Sequence, residues 1–134
     1  MVDLSPEIAV RLDEELVGWL TTVTQTGQPQ SSIVWFLRKD GELLIYSQKG
    51  ARKLSNLRAH PKVAFNLRSD EHGDEYVTIE ATATVEDSAP PAHEVPAYLA
   101  KYEGEIGRLG WTPPEFAGEY PVLIRLKVDR LRSE

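Results

Sequence analysis

Apolar positions follow two periods along this chain. Ile8, Leu12 and Leu16 recur every four residues, which marks one face of a helix. Ser5 is suited to cap such a helix and Pro6 to fill its first position. From residue 17 the period shortens. Residues 17–24 are rich in β-branched and aromatic side chains, a polar turn follows at 25–29, and a second such run covers 30–37, so the pattern predicts a hairpin. Lys39-Asp40-Gly41 contains the Asp-Gly pair favoured where φ is positive and opens onto 43–47. The expected arrangement of these three runs is a meander.

Leu54 and Leu57 lie on one side of a short helix predicted over 51–59, which Pro61 ends. Val63, Phe65 and Leu67 then alternate with Lys62, Ala64 and Asn66, the mark of a half-buried strand. The acidic loop 70–75 leads to a fifth strand at 76–85, where threonine alternates with apolar residues. A proline-rich break at 89–92 precedes a helix near 94–103, then an irregular glycine-rich stretch through Trp111, Pro113 and Pro114. Residues 122–128 form the last alternating strand. Six strands joined mostly by short turns predict a mainly β fold with short helices, an antiparallel barrel in preference to a parallel doubly wound sheet.

With 134 residues the chain has room for one ordinary domain with its own core, expected over 1–134. It has no cysteine, which removes thiolate metal sites, iron–sulfur clusters and cysteine nucleophiles. Met1-Val2-Asp3-Leu4 does not open a secretory leader, and no apolar run approaches a membrane span, so the expected compartment is the cytoplasm. The net charge of −6 argues against a nucleic-acid partner. From Arg38 to Arg68, however, lie eight basic residues and two acids, a local charge of +6 that leaves −12 elsewhere.

The centre of that basic segment is Ser47-Gln48-Lys49-Gly50-Ala51-Arg52-Lys53, where a strand gives way to a helix. Cations at a helix N-terminus oppose the helix dipole, and a bound anion would remove that repulsion. A phosphate there would accept from backbone amides and the Ser47 hydroxyl and be neutralised by Lys49, Arg52 and Lys53. The competing reading is that the three cations face water or pair with acids elsewhere in the chain. Ser32, Ile33, Val34 and Trp35 offer backbone groups and an apolar wall to a planar heterocycle, whereas the side chains of Ile33, Trp35 and Leu37 also suit plain barrel core. His60, His72 and His93 lack metal-ligand spacing and read as surface residues. Glu80 and Glu86 read as a solvated face, not as an acid–base pair. There is no nucleophile elbow, no Walker loop and no dinucleotide fingerprint. A cofactor that carries the reacting hydride itself needs none of these.

The segments 17–23, 27–36, 47–57 and 60–63, ending with 120–126, resemble the pyridoxamine 5'-phosphate oxidase-like superfamily, and more narrowly its actinobacterial deazaflavin-dependent oxidoreductases. The resemblance implies a split β-barrel homodimer with two cofactor grooves, each lined by both subunits. It implies that Lys49, Arg52 and Lys53 hold the cofactor phosphate and that Ser32 to Trp35 run beside the tricyclic ring. The second subunit would close the groove from the loop around Trp111. Coenzyme F420 carries more negative charge than FMN, through a lactyl carboxylate and a glutamate tail, and suits a longer basic groove that Arg38, Lys39 and Arg58 could extend. The chain's ending, Arg130-Leu131-Arg132-Ser133-Glu134, lacks the arginine-leucine-alanine-proline type of ending associated with the vitamin B6 oxidases.

The expected activity is therefore an F420-dependent reduction of a small planar unsaturated substrate, with no catalytic side chain, no metal, no nucleic acid and no membrane partner. The alternatives are an FMN-binding oxidoreductase of the same fold and a non-catalytic carrier of a flavin or tetrapyrrole.

Overall fold

The structure is a computed structural model and describes residues 4–133. The opening Met1-Val2-Asp3, read above as no leader, and the final Glu134 lie outside the described residues. Helix α1 (Pro6–Glu14) starts as expected, with Ser5 Oγ accepting the Ile8 N–H at 3.3 Å and Pro6 in the first turn. It buries Ile8 and Leu12, but stops before Leu16, which is 39% exposed.

Seven strands follow: β1 (Gly18–Val23), β2 (Pro29–Val34), β3 (Leu37–Lys39), β4 (Glu42–Ser47), β5 (Lys62–Asn66), β6 (Val77–Glu86) and β7 (Val122–Ser133). Helix α2 (Arg52–Ala59) stands between β4 and β5, while α3 (Pro96–Arg108) and α4 (Pro113–Glu119) stand between β6 and β7. The strands form one curled antiparallel sheet in the order β2-β1-β5-β6-β7-β4-β3.

The count of six strands is corrected here, because the predicted run 30–37 breaks at Trp35-Phe36. Its first part pairs with β1 at one edge of the sheet and its last part with β4 at the other. Side chains of α3 hold the backbone at the break. The Phe36 N–H donates to Tyr102 Oη at 2.8 Å, and Lys101 Nζ donates to the Phe36 carbonyl at 2.9 Å. Those contacts replace the ladder bonds a continuous strand would make. The expected meander is consequently two hairpins on opposite edges. The Asp-Gly turn does close the second one, with φ of 53° at Asp40 and 77° at Gly41. The irregular stretch after Trp111 is also corrected: α4 has a capping box in which Thr112 and Glu115 satisfy each other's backbone N–H groups.

Two apolar clusters flank the sheet. One joins Leu12 of α1 and Leu54 and Leu57 of α2 to inward residues such as Leu20, Phe65, Ile79 and Ile124. There β1 approaches the sheet core so closely that a Cβ on Gly18 would stand 2.3 Å from the Phe65 ring. The other cluster packs Tyr98, Tyr102, Ile106 and Phe116 of α3 and α4 against Leu37, Leu44, Tyr46 and Leu123. Glu86, expected to be solvated, accepts from Arg125 Nε at 3.0 Å, and the same guanidinium reaches Glu42 at 2.9 Å. Among the described residues no helix is long and apolar enough to cross a membrane.

Candidate functional site

β4 ends at the buried Ser47, and Gln48, Lys49 and Gly50 make an exposed turn before Ala51 starts α2. The Ala51 N–H closes that turn on the Gln48 carbonyl at 3.3 Å. Ala51 has no side-chain oxygen to cap the helix, and the first turn holds no acid; it holds Arg52 and Lys53 instead. Both choices are unfavourable for an isolated helix. Lys49, Arg52 and Lys53 make no ion pair among the described residues, whereas Arg11, Arg38 and Arg125 each do. Of the two competing readings, pairing with acids finds no instance among the described residues, whereas Lys49 and Arg52 do face water. Lys53 is half-buried, and that burial lowers its pKa below the ordinary lysine value.

An open groove of about 590 Å³ runs between this helix end and the sheet, walled by Thr22 of β1, by Gln30, Ser31 and Ser32 of β2, and by Arg52, Lys53 and Asn56 of α2. Asn56 fixes its width. Its buried Nδ2 donates to Thr22 Oγ1 at 3.0 Å and to Gln30 Oε1 at 2.9 Å, tying α2 to both strands.

On its other side Lys53 meets a cavity of about 150 Å³, lined by Ile33, Val34 and Trp35, by Tyr46 and Tyr98, and by Leu109, Phe116 and Tyr120. The walls are stacked aromatic rings. Trp35 lies between Tyr102, at 4.7 Å between ring centroids, and Phe116, at 5.3 Å, while Phe116 stacks in turn on Tyr120 at 4.7 Å. Tyr46 donates its hydroxyl proton to the Pro90 carbonyl at 2.9 Å, and Tyr102 donates to the Leu16 carbonyl at 2.7 Å. The Tyr98 hydroxyl, by contrast, is buried and meets no protein partner among the described residues. Burial raises the Tyr98 pKa far above the ordinary tyrosine value, so the group stays protonated.

The sequence-predicted residues divide accordingly. Ser32, Arg52 and Lys53 wall the groove; Ile33, Val34, Trp35 and Lys53 line the cavity; Gln48 and Lys49 sit on the exposed turn before α2 and line neither. Ser47 differs from its expected role, because the residue is 1% exposed and its hydroxyl donates to the Gln48 carbonyl at 3.1 Å, bracing the turn from within. Trp111 stands behind the cavity wall, packed on Phe116 and Tyr120 at 6.3 and 6.1 Å. Ile33, offered as core, is 56% exposed, since its register opposite Trp19 turns both side chains outward. Arg38 does not extend the basic patch: its guanidinium makes a two-point bridge to Asp13 at 2.7 and 3.0 Å. His93 is half-buried, not fully on the surface. Sequence reasoning missed Tyr46, Tyr98, Phe116 and Tyr120. The spacing of Tyr98, Tyr102 and Ile106 was a helical signal for one of them, and the Thr112 to Glu115 capping pair was a signal for the helix that carries another.

A cationic groove and an aromatic-lined cavity that share one lysine suit a ligand with an anionic tail and a ring system. Among the described residues no three His, Cys, Asp or Glu side chains gather into a metal site.

The fold recurs in solved structures. A conserved hypothetical protein of Mycobacterium tuberculosis is 26% identical, with a TM-score of 0.79 over 99% of this chain and 85% of that one. An F420 reductase is 24% identical, with a TM-score of 0.69 over 98% of each chain. A heme storage protein of Vibrio cholerae is 21% identical, with a TM-score of 0.68 over 98% of this chain and 95% of its own. No curated protein matches the sequence. The family profile of pyridoxamine 5'-phosphate oxidase matches residues 4–133, nearly the full length, and the chain belongs to that split-barrel family.

Proposed function

We propose that this chain is an oxidoreductase that binds coenzyme F420 and transfers a hydride between it and a small planar unsaturated organic molecule. The observation that carries the reading is the uncapped, unpaired basic end of α2, joined through Lys53 to an aromatic cavity. Lys49, Arg52 and Lys53 neutralise the cofactor phosphate together with the first amides of α2. Ser32 to Trp35 run beside the ring system, and the aromatic side chains of Trp35 and Phe116 exclude water beside it. When bound, the deazaflavin supplies the hydride, and no ionisable side chain is required to react. Three cations with no ion-pair partner among the described residues exceed the charge of one terminal phosphate, about −1.5 to −2, which favours a cofactor with further carboxylates. The family match favours FMN as the second reading.

Titration of the purified protein with coenzyme F420 and, separately, with FMN, followed by cofactor fluorescence at two salt concentrations, tests this directly. Tighter, salt-sensitive binding of the deazaflavin is expected; a preference for FMN moves the protein to the flavin branch. Binding of neither leaves a tetrapyrrole carrier, which haem absorbance would detect. Arg52→Ala with Lys53→Ala should lower affinity at least about tenfold while the protein stays folded, and unchanged affinity would remove the phosphate site.

The working unit is a homodimer in this proposal. Trp19 and Ile33 are 45% and 56% exposed side by side next to the cavity, and a second copy would cover them.

A further inference from the structure

We infer that Lys101 and Tyr102, adjacent residues of α3 that do not themselves line the aromatic cavity, are positioning residues for it: by fixing the Trp35-Phe36 break they hold Trp35 where a bound ring meets it. The inference rests on the reading of that cavity as part of the cofactor site. Ile33, Val34 and Trp35 line the cavity, whereas the next residue, Phe36, is 0% exposed and packs edge-on against Phe65 at 4.9 Å in the other cluster. Consecutive side chains thus enter different cores, at a point where β2 has ended and β3 has not begun. Tight ring binding needs its wall held to about 0.5 Å, and here the side chains of α3 do the holding. The Tyr102 hydroxyl accepts the Phe36 N–H and donates to the Leu16 carbonyl, while its ring lies within 6° of parallel to Trp35. The Lys101 ammonium donates to the Leu12 and Phe36 carbonyls and stands 3.9 Å from the centre of the Phe36 ring. Leu12 lies in the last turn of α1 and Leu16 in the link that follows. Two side chains therefore register the cavity wall against both α1 and α3.

The test uses the full chain labelled with 5-fluorotryptophan. Tyr102→Phe keeps the ring that stacks on Trp35 and removes only the hydroxyl; Lys101→Met keeps an apolar stem and removes the ammonium. Each should shift or broaden the fluorine resonance of Trp35, assigned by its loss in Trp35→Phe. Each should also raise the dissociation constant for coenzyme F420, or for FMN if wild type prefers it, by about five- to tenfold in the fluorescence titration. Val77→Ala, a truncation of a residue 1% exposed in the barrel cluster, should lower stability in urea and change neither reading. Equal effects in Val77→Ala would overturn the inference by making the loss one of general stability. An unmoved Trp35 resonance in Tyr102→Phe and Lys101→Met, or a moved one with wild-type affinity, would overturn it and leave the cofactor reading standing. Should Tyr102→Phe fail to fold, Lys101→Met decides alone. Wild type that binds neither cofactor overturns the cofactor reading, and this inference with it.

Discussion

Asn56 ties three elements with one amide, and its two acceptors lie on different strands. Asn56→Ala should lower stability by about 1–3 kcal/mol, because Thr22 and Gln30 lose a buried partner, and urea unfolding will read it. Gly18→Ala should destabilise by about 1–3 kcal/mol through the clash with Phe65. Lys101 gives a pH signature. Its ammonium bonds the Leu12 and Phe36 carbonyls at 3.0 and 2.9 Å, and burial lowers its pKa from 10.5 to about 8. Between those two values the unfolded chain binds more protons than the folded one, so this group makes stability rise with pH. The stability difference between wild type and Lys101→Met should therefore shift in favour of wild type from about pH 7 to about pH 9.5. The cations at 49, 52 and 53 were legible in the sequence because they are adjacent in it. Tyr46, Tyr98 and Phe116 were not, because only the tertiary fold brings them together.

At the scale of elements, capping chemistry is local and Ser5 and Pro6 marked the start of α1 correctly, whereas the equally local Thr112 and Glu115 box of α4 was passed over amid the surrounding glycines and prolines. The break at Trp35-Phe36 was illegible for the opposite reason. Nothing in the pattern of 30–37 interrupts strand character, and the interruption comes from Lys101 and Tyr102, more than sixty residues away. The last strand runs to Ser133, beyond its apolar alternation, because pairing with β6 continues past a bulge at Glu80/Ala81. The uncapped start of α2 separates stability from binding. Ala51→Asp should stabilise the fold by about 0.5–2 kcal/mol by supplying the missing cap. The same carboxylate beside Arg52 and Lys53 should weaken cofactor binding about tenfold or more. Thermal melting and fluorescence titration of one variant measure the two opposite effects.

For the molecule as a whole, the sequence conveyed the mainly β, antiparallel class, because short turns exclude crossover helices between most strands. It did not convey strand order, which depends on contacts far apart in the chain. In the proposed dimer, Ile33→Glu should yield monomers in sedimentation and lower cofactor affinity together, since that side chain lies both on the exposed face and on the cavity rim. Strand order also constrains the route to the folded state. β7 lies between β6 and β4, and no other strand links the group β2-β1-β5-β6 to the hairpin β4-β3. Until the dozen residues of β7 are in place, two sheet fragments with open edges have no strand to join them. Release of a nascent chain ending before Val122 should leave those edges free to pair with other chains, so a shortened product should aggregate and not merely bind cofactor poorly.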